Sequence, residues 1–516
     1  MQQTPKKINK ELIPSYVTYV TQKLENAGFE AFVVGGCVRD MFLGRDVKDW
    51  DLTTSATPEE IQGLFEKTVY ENTFGTVGVC IPIVTQETPI NLDKNVSRDT
   101  NTIVSDETEY YMVEVTPFRK EGKYSDNRHP DEVCYTRNVS EDLGRRDFTV
   151  NAMAYSIEKD TILDLYNGQS DIKDKIIKTV GSPIERFSED ALRMLRAVRF
   201  STVLDFAIEG ETLAAIAEHA QLIENISQER IRDEFVKIIE SPRPAQGIAL
   251  LQKLGLLTYI IPELEEGIGC HQGGAHIYDV FEHLLGAVQH AADKGYSTDI
   301  RLSALFHDIG KPRTKRTPSA KVKPTFYGHE VVGAKMTQKI LDRMKFSRET
   351  VVYVTNMVRR HMFFSDTEQI TLSAVRRVVA NVGVDHIWEL MQVRECDRVG
   401  MSKTEAPYRL RKYHAMIEEC LRDPISVKQL AIDGNYLMND LQIKAGPRMG
   451  WMLNALLEEV LDDPSKNTIE TLTERVKEYE QMDDVTLKEL GEKAKEKKEE
   501  LEGEEVGKLR KKHGVK

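Results

Sequence analysis

The chain has 516 residues, 40% hydrophobic and 30% charged, with a net charge of −13. Such a length supports several domains with ample core, and the acid excess excludes a uniformly basic, phosphate-coating surface; RNA binding would rest on a local basic groove, modest and salt-sensitive affinity, and selection by shape. Six scattered cysteines without a Cys-x-x-Cys pair, and no apolar N-terminal run, point to a reducing cytoplasm with neither a signal peptide nor a membrane span.

Taken in chain order, Ala31–Val34 reads as a buried strand, Gly35-Gly36 as a turn whose backbone N–H groups can approach a phosphate, and Val38–Leu43 as a short helix ended by Gly44. Asp49 and Asp51 follow in Asp49-Trp50-Asp51. On a strand, residues two apart share a face, so both carboxylates aim at one point and suit Mg²⁺. Nucleotidyl transfer needs this arrangement: one ion activates the attacking hydroxyl, and a second, about 4 Å away, neutralises the departing pyrophosphate. No Walker-type or Gly-x-Gly-x-x-Gly motif competes with it. The stretch from Thr85 to Glu109, rich in Asn, Asp and Thr, reads as a mobile surface insertion.

Arg145-Arg146-Asp147 is either a surface turn before a strand or a place where an arginine pairs with phosphates. Ser188 is read as the N-cap of a helix on which Arg193, Arg196 and Arg199 recur at every third position, with Leu192, Leu195 and Val198 as its apolar side. That basic stripe is a solvated face or the lining of a cleft. Asp190 and Arg193, at i and i+3, are expected to share a helix face, an acceptor beside a donor that complements cytosine or adenine and rejects guanine or uracil. Ser241-Pro242-Arg243-Pro244 marks a boundary. Beyond it comes an ordered series, His283, His307-Asp308, His329, His361 and Asp397, whose imidazoles and carboxylates suit Mn, Ni, Co or Mg better than a structural zinc; the alternative is a core in which they satisfy one another. From Ile425 a glycine-turned helical hairpin and an amphipathic helix lead to a Lys/Glu-rich tail, a solvated helix or a disordered segment.

Together these motifs resemble the class II tRNA nucleotidyltransferase and bacterial poly(A) polymerase family from about residue 14 to about residue 480, with a segment that looks like an HD phosphohydrolase domain. The resemblance implies an α+β architecture: a polymerase-β-like head with a small mixed sheet, then an all-helical neck, HD body and tail. The expected divisions are 1–160 for the catalytic head, 161–244 for the neck, 245–424 for the HD domain, 425–482 for a tRNA-binding tail and 483–516 for a charged extension. Residues 1–160 are read as short β-rich runs with two helices, and 161–244 as helical. The resemblance further implies that Asp49 and Asp51 bind catalytic Mg²⁺, with Glu114 a third carboxylate from a neighbouring strand, and that Gly36, Arg39, Arg146, Asp190, Arg193, Arg196 and Arg199 contact the incoming nucleotide. The region Val69–Val77 departs from the poly(A) polymerase pattern, and Phe118–Pro130 resembles the flexible loop needed to switch from C to A.

The expected activity is therefore template-independent CCA addition to tRNA from CTP and ATP. Its alternatives are a poly(A) polymerase or A-adding enzyme, or an HD phosphohydrolase with a tRNA-binding head. In some relatives the HD domain removes 3′ phosphates or opens 2′,3′-cyclic phosphates; in others it only packs. The oligomeric state is left open.

Overall fold

The computed structural model describes residues 8, 10–47, 49–70, 75–83, 102–105, 108–121, 133–273, 277–317, 324–362, 370–399 and 407–491. Most of Thr85–Glu109, residues 122–130 of the loop after Phe118, residues 71–74 and the tail from 492 onward lie outside them. The chain divides into two compact units. One comprises 1–268, 292–301 and 339–347; the other comprises 269–291, 302–338 and 348–516.

The first unit opens with α1 (Ser15–Asn26), β1 (Ala31–Val34), α2 (Gly36–Leu43), β2 (Asp51–Thr54), α3 (Pro58–Leu64), β3 (Thr68–Tyr70) and β4 (Val77–Pro82). It continues through β5 (Thr102–Ser105), β6 (Thr108–Pro117), β7 (Arg119–Glu121), β8 (Val133–Tyr135), α4 (Val139–Gly144), β9 (Met153–Ser156) and β10 (Thr161–Asp164). The main sheet is mixed, in the order β10-β9-β1-β2-β6-β4-β3, with β5 also paired to β6. β2 and β6 run parallel, while β1, β4 and β9 are antiparallel to their neighbours. Val33, Leu52, Val79, Val113 and Val115 are fully buried in it, as expected for β-branched and aliphatic strand residues. The expected mixed sheet is thus present, but the described residues of 1–160 carry four α-helices rather than two. Part of the polar stretch also folds: β5 pairs in register with β6, Ile103 opposite Tyr110.

After β10 come α5 (Gly168–Asp174), β11 (Ile176–Ile177), α6 (Pro183–Glu189), α7 (Leu192–Leu204), β12 (Ala207–Ile208), α8 (Gly210–His219), α9 (Gln228–Glu240), α10 (Pro244–Lys253), α11 (Leu257–Ile260) and α12 (Pro262–Glu265). This region is helical apart from β10 and the short parallel pair β11–β12, which the helical reading of 161–244 left out. On α9, Ile231, Phe235, Ile238 and Ile239 form one buried stripe at helical spacing.

The second unit is built from helices: α13 (Val280–Asp293), α14 (Thr298–Phe306), α15 (Lys311–Thr314), α16 (His329–Arg343), α17 (Arg348–Arg360), α18 (Leu372–Val382), α19 (Ile387–Asp397), α20 (Pro407–Cys420), α21 (Gly434–Asn439), α22 (Pro447–Asp462) and α23 (Ile469–Glu480). Its last three helices share a core of Leu437, Met452, Leu456, Val460, Leu472, Val476 and Tyr479. Among the described residues no helix is long and apolar enough to cross a membrane.

Candidate functional site

In the first unit, Asp51 opens β2 and lies in parallel register with Glu114 of β6. Partners at one register project to the same face, so the two strands present their carboxylates side by side. Asp49 stands just before the strand rather than on it, exposed, with Trp50 buried between the two acids. It still acts on Asp51: burial raises the Asp51 carboxyl and the Asp49 charge adds to this, while Arg146 opposes both. Neighbouring carboxylates of this kind, offering only oxygen, suit a hard divalent ion.

Opposite stands the turn before α2. Gly35 has φ +84°, a conformation natural to glycine, and a methyl group there would stand 3.1 Å from Arg146 Nη1 and 3.8 Å from Asp51 Oδ2. The helix begins at Gly36, two residues earlier than expected, and ends at a left-handed Gly44. Arg146 donates from Nη2 to Asp142 Oδ2 (3.3 Å), while its buried Nε has no hydrogen-bond partner. Asp142 is fully buried and also accepts from Arg145 (2.7 and 2.9 Å). Burial opposes its ionisation, but the two guanidiniums outweigh this and lower its pKa. Arg145-Arg146 is therefore not a solvated turn, and a guanidinium whose Nη1 stands beside the Gly35 turn suits an anionic oxygen there.

The neck differs from expectation in detail. Ser188 is not an N-cap but lies inside α6, and α7 starts at Leu192 with Ala191 before it. Asp190 sits in the break with extended backbone, so it does not share a helix face with Arg193. Its carboxylate accepts from the Leu192 N–H (3.1 Å) and from both Nη atoms of Arg230 on α9 (2.7 and 3.3 Å). Arg193 donates instead to Glu189 Oε2 (2.6 Å) and the Arg145 carbonyl (3.2 Å). Leu192, Leu195 and Val198 are buried as expected, but the arginines form no solvated stripe. Arg196 donates to Asp147 Oδ2 (2.8 Å) and Arg199 to Glu234 Oε1 (2.9 Å). Arg39 donates to Asn151 Oδ1 (2.6 Å) and grips Asp40 with Nε and Nη2. The guanidiniums of Arg39, Arg196 and Arg199 stand 5.2, 5.5 and 4.2 Å from the Phe200 ring. Burial disfavours the Asp147 anion, yet Arg196 and the Asn151 amide hold its pKa down at about 2. Burial, reinforced by Arg196, lowers Arg199 to about 10.

The second unit gathers all six expected metal ligands. His283, His307, Asp308 and Asp397 form one set, and Asp308, His329 and His361 form another, with the ligand atoms of each set within 4.8 Å of one another. Asp308 belongs to both: Oδ2 faces His283 and His307 Nε2 (3.4 and 3.3 Å), and Oδ1 faces His329 and His361 Nε2 (3.1 and 3.6 Å). Every Nδ1 is anchored to a backbone carbonyl, of Val399, Ala304, Phe326 and Val358 in chain order, at 2.7–3.0 Å. A carbonyl only accepts, so each Nδ1 carries a proton and each Nε2 turns inward. His283 and His307 Nε2 approach to 3.1 Å, and His329 and His361 to 3.3 Å. Both Asp308 oxygens are buried, and Oδ2 also meets the Lys311 ammonium. Four inward Nε2 atoms and two carboxylates crowded into one buried space fit divalent cations.

Not legible in the sequence are Asp142 and Glu234, which hold arginines, Arg230, which holds Asp190, and Gln272 and Lys311 beside the second site. Asp147 and Asn151 lie four residues apart, and the Asn151 amide donates to Asp147 (3.2 Å). A buried Glu in an amphipathic helix, such as Glu234, shows its role only through a partner 35 residues away.

Residues 31–178 match the Poly A polymerase head domain, 205–268 the probable RNA and SrmB-binding site of polymerase A, and 280–398 the HD domain. A CCA-adding enzyme of Limosilactobacillus reuteri is 32% identical over 462 residues, covering 89% of this chain and 95% of that one. One from Levilactobacillus brevis is 43% identical over 240 residues, a match that spans 46% of this chain and about half, 54%, of that enzyme. The Bacillus stearothermophilus CCA-adding enzyme, solved in complex with CTP, superposes with a TM-score of 0.63 at 26% identity, over 90% of this chain and 97% of that one.

Proposed function

This chain belongs to the CCA-adding enzyme family, and on that premise we propose that it adds C, C and A in turn to the 3′ end of tRNA from CTP and ATP, without a nucleic-acid template. The observation that carries this reading is the register of Asp51 with Glu114, with Asp49 beside them and the Gly35 turn and Arg146 opposite. Mg²⁺ held by Asp49, Asp51 and Glu114 would supply activation of the RNA 3′ hydroxyl and neutralise the departing pyrophosphate. Arg146 and the N–H groups at Gly36 bind the triphosphate, and Arg39, Arg196 and Arg199 add positive charge around Phe200. Asp190, steadied by Arg230, offers acceptors, and Arg193 offers donors. Cytosine and adenine each set an amino donor beside a ring acceptor, whereas guanine and uracil reverse that order and would leave buried groups unpaired.

In this reading 1–160 is the catalytic head, 161–244 the neck and 425–482 a tRNA-binding tail, working in the cytoplasm. The HD domain, 245–424, supplies a second, metal-dependent activity on phosphate esters at RNA ends. Its two ligand sets around Asp308 support this, since divalent ions there would polarise a phosphate ester. The deciding experiment is sequencing of the products made on tRNA lacking CCA with CTP and ATP supplied. CCA ends are expected; long A tails, or no addition by a folded protein, would overturn the reading.

A further inference from the structure

Beside the HD ligands lies a residue pair that coordinates nothing. Lys311 Nζ is 2.5 Å from Asp308 Oδ2 and donates to Gln272 Oε1 at 2.6 Å. Both side chains are buried, Lys311 at 7% and Gln272 at 5% exposure. The Gln272 amide cannot turn over, because its Nε2 donates to the carbonyls of Tyr278 (3.4 Å) and Asp279 (3.3 Å), so Oε1 must face the ammonium. Those carbonyls stand at the start of α13, where Asp279 caps the helix: its Oδ1 accepts from the Glu282 N–H (2.8 Å), and Glu282 Oε2 accepts from the Asp279 N–H (3.3 Å). The helix that carries His283 therefore also fixes Gln272, and through it Lys311.

A counter-ion for Asp308 alone would not need this second anchor. Divalent cations held by the two ligand sets would offset the Asp308 charge, and a desolvated ammonium beside them would call for another anion. Two divalent ions, two carboxylates and one ammonium leave the centre strongly positive. Of the three ammonium protons, the contacts to Asp308 and Gln272 account for two, and the third is available to a ligand oxygen.

We propose that Lys311, held by Gln272, is the phosphate-binding residue of the HD centre and biases it toward terminal phosphomonoesters, which carry two negative charges, over cyclic phosphodiesters, which carry one. This rests on the reading of the HD domain as acting on phosphate esters. Gln272 is a positioning residue, acting only through Lys311.

The test uses full-length protein loaded with Mn²⁺, inorganic phosphate as probe in calorimetric titration, and RNAs ending in 3′-phosphate or 2′,3′-cyclic phosphate as substrates. Lys311→Met should weaken phosphate binding roughly tenfold or more, with bound metal unchanged by mass spectrometry. Gln272→Leu should give a smaller loss, about threefold, and Lys311→Arg a partial recovery. KM should rise for the 3′-phosphate substrate more than for the cyclic one. Loss of metal from a folded Lys311→Met protein, unchanged phosphate affinity, equal effects on both substrates, or a wild-type protein that takes up no metal or binds no phosphate would each overturn the proposal. If Lys311→Met does not fold, Gln272→Asn, which shortens the anchor but keeps it polar, must reproduce the selective loss of phosphate affinity or the proposal falls. Lys311-dependent phosphate binding without hydrolysis of either RNA would sink the hydrolase reading alone; hydrolysis with Lys311-independent binding would sink this proposal alone.

Discussion

In the head, the three guanidiniums around Phe200 are matched by Asp40, Asp147 and Glu234, whereas in the HD centre four imidazole Nε2 atoms and two carboxylates crowd together with the Lys311 ammonium beside Asp308. The first is a set of charges already neutralised by one another, from which a nucleotide must win contacts by exchange. The second is a set of ligand atoms that divalent cations would complete. One sequence thus builds an anion site by pairing its cations and a cation site by crowding its donors, and the two should respond differently to damage.

Asp51→Ala should show the largest effect on the head, lowering nucleotide addition at saturating Mg²⁺ by at least about a hundredfold, because it removes the β2 carboxylate that stands in register with Glu114. Metal bound in the HD centre, measured by mass spectrometry, should not change. Near-normal addition by this variant would end the assignment of the head.

The reciprocal change, His307→Ala with Asp308→Ala, should strip transition metal from the HD centre and abolish opening of a 2′,3′-cyclic phosphate while sparing CCA addition. If addition fell in parallel in a protein with unaltered melting, the two sites could not be treated as separate.

A smaller effect probes the paired charges of the head. Asp147 has its pKa lowered from 3.8 to about 2, so its ionisation stabilises the fold above pH 4 and that contribution is lost as pH falls through about 2. The shift corresponds to about 2 kcal/mol. Unfolding by urea, followed through Trp50 in a Trp388→Phe, Trp451→Phe background, should weaken between pH 5 and pH 2.5, and Asp147→Asn should flatten that dependence while lowering stability at pH 7. An acid profile identical to wild type would mean that the Asp147–Arg196 pair contributes nothing net.

The smallest effect should come from Arg230→Ala, which frees Asp190 without touching Arg193. Discrimination of CTP over UTP should fall a fewfold, with little change in the rate with CTP, as expected for one polar contact of about 1 kcal/mol. A uniform rate loss at constant selectivity would make the Asp190–Arg230 contact purely structural.

The contrast also explains what could be read in the sequence. The HD ligands were legible because imidazole and carboxylate in that order have few other reasons to recur, and the structure gathers every one. Gly35, Gly44 and the strand Ala31–Val34 were legible because local backbone demands fix them. The helix through Ser188 was misread because a Ser followed by Glu and Asp looks like an N-terminus, while Pro183 had already begun a helix that ends at Glu189. The partners of the arginines were not legible at all. Asp147 lies 49 residues from Arg196, Asp190 lies 40 from Arg230, and no periodicity links them.

The ligands around Asp308 are delivered one after another along the chain, from His283 to Asp397 at the end of α19. A nascent polypeptide emerging from the ribosome would expose the first imidazoles well before Asp397 is synthesised, whereas Gly35, Asp51, Glu114 and Arg146 would already have left the tunnel. Every head residue named for the nucleotide site up to Arg146 is thus synthesised before the first HD ligand, so the two centres are completed in a fixed order along the chain.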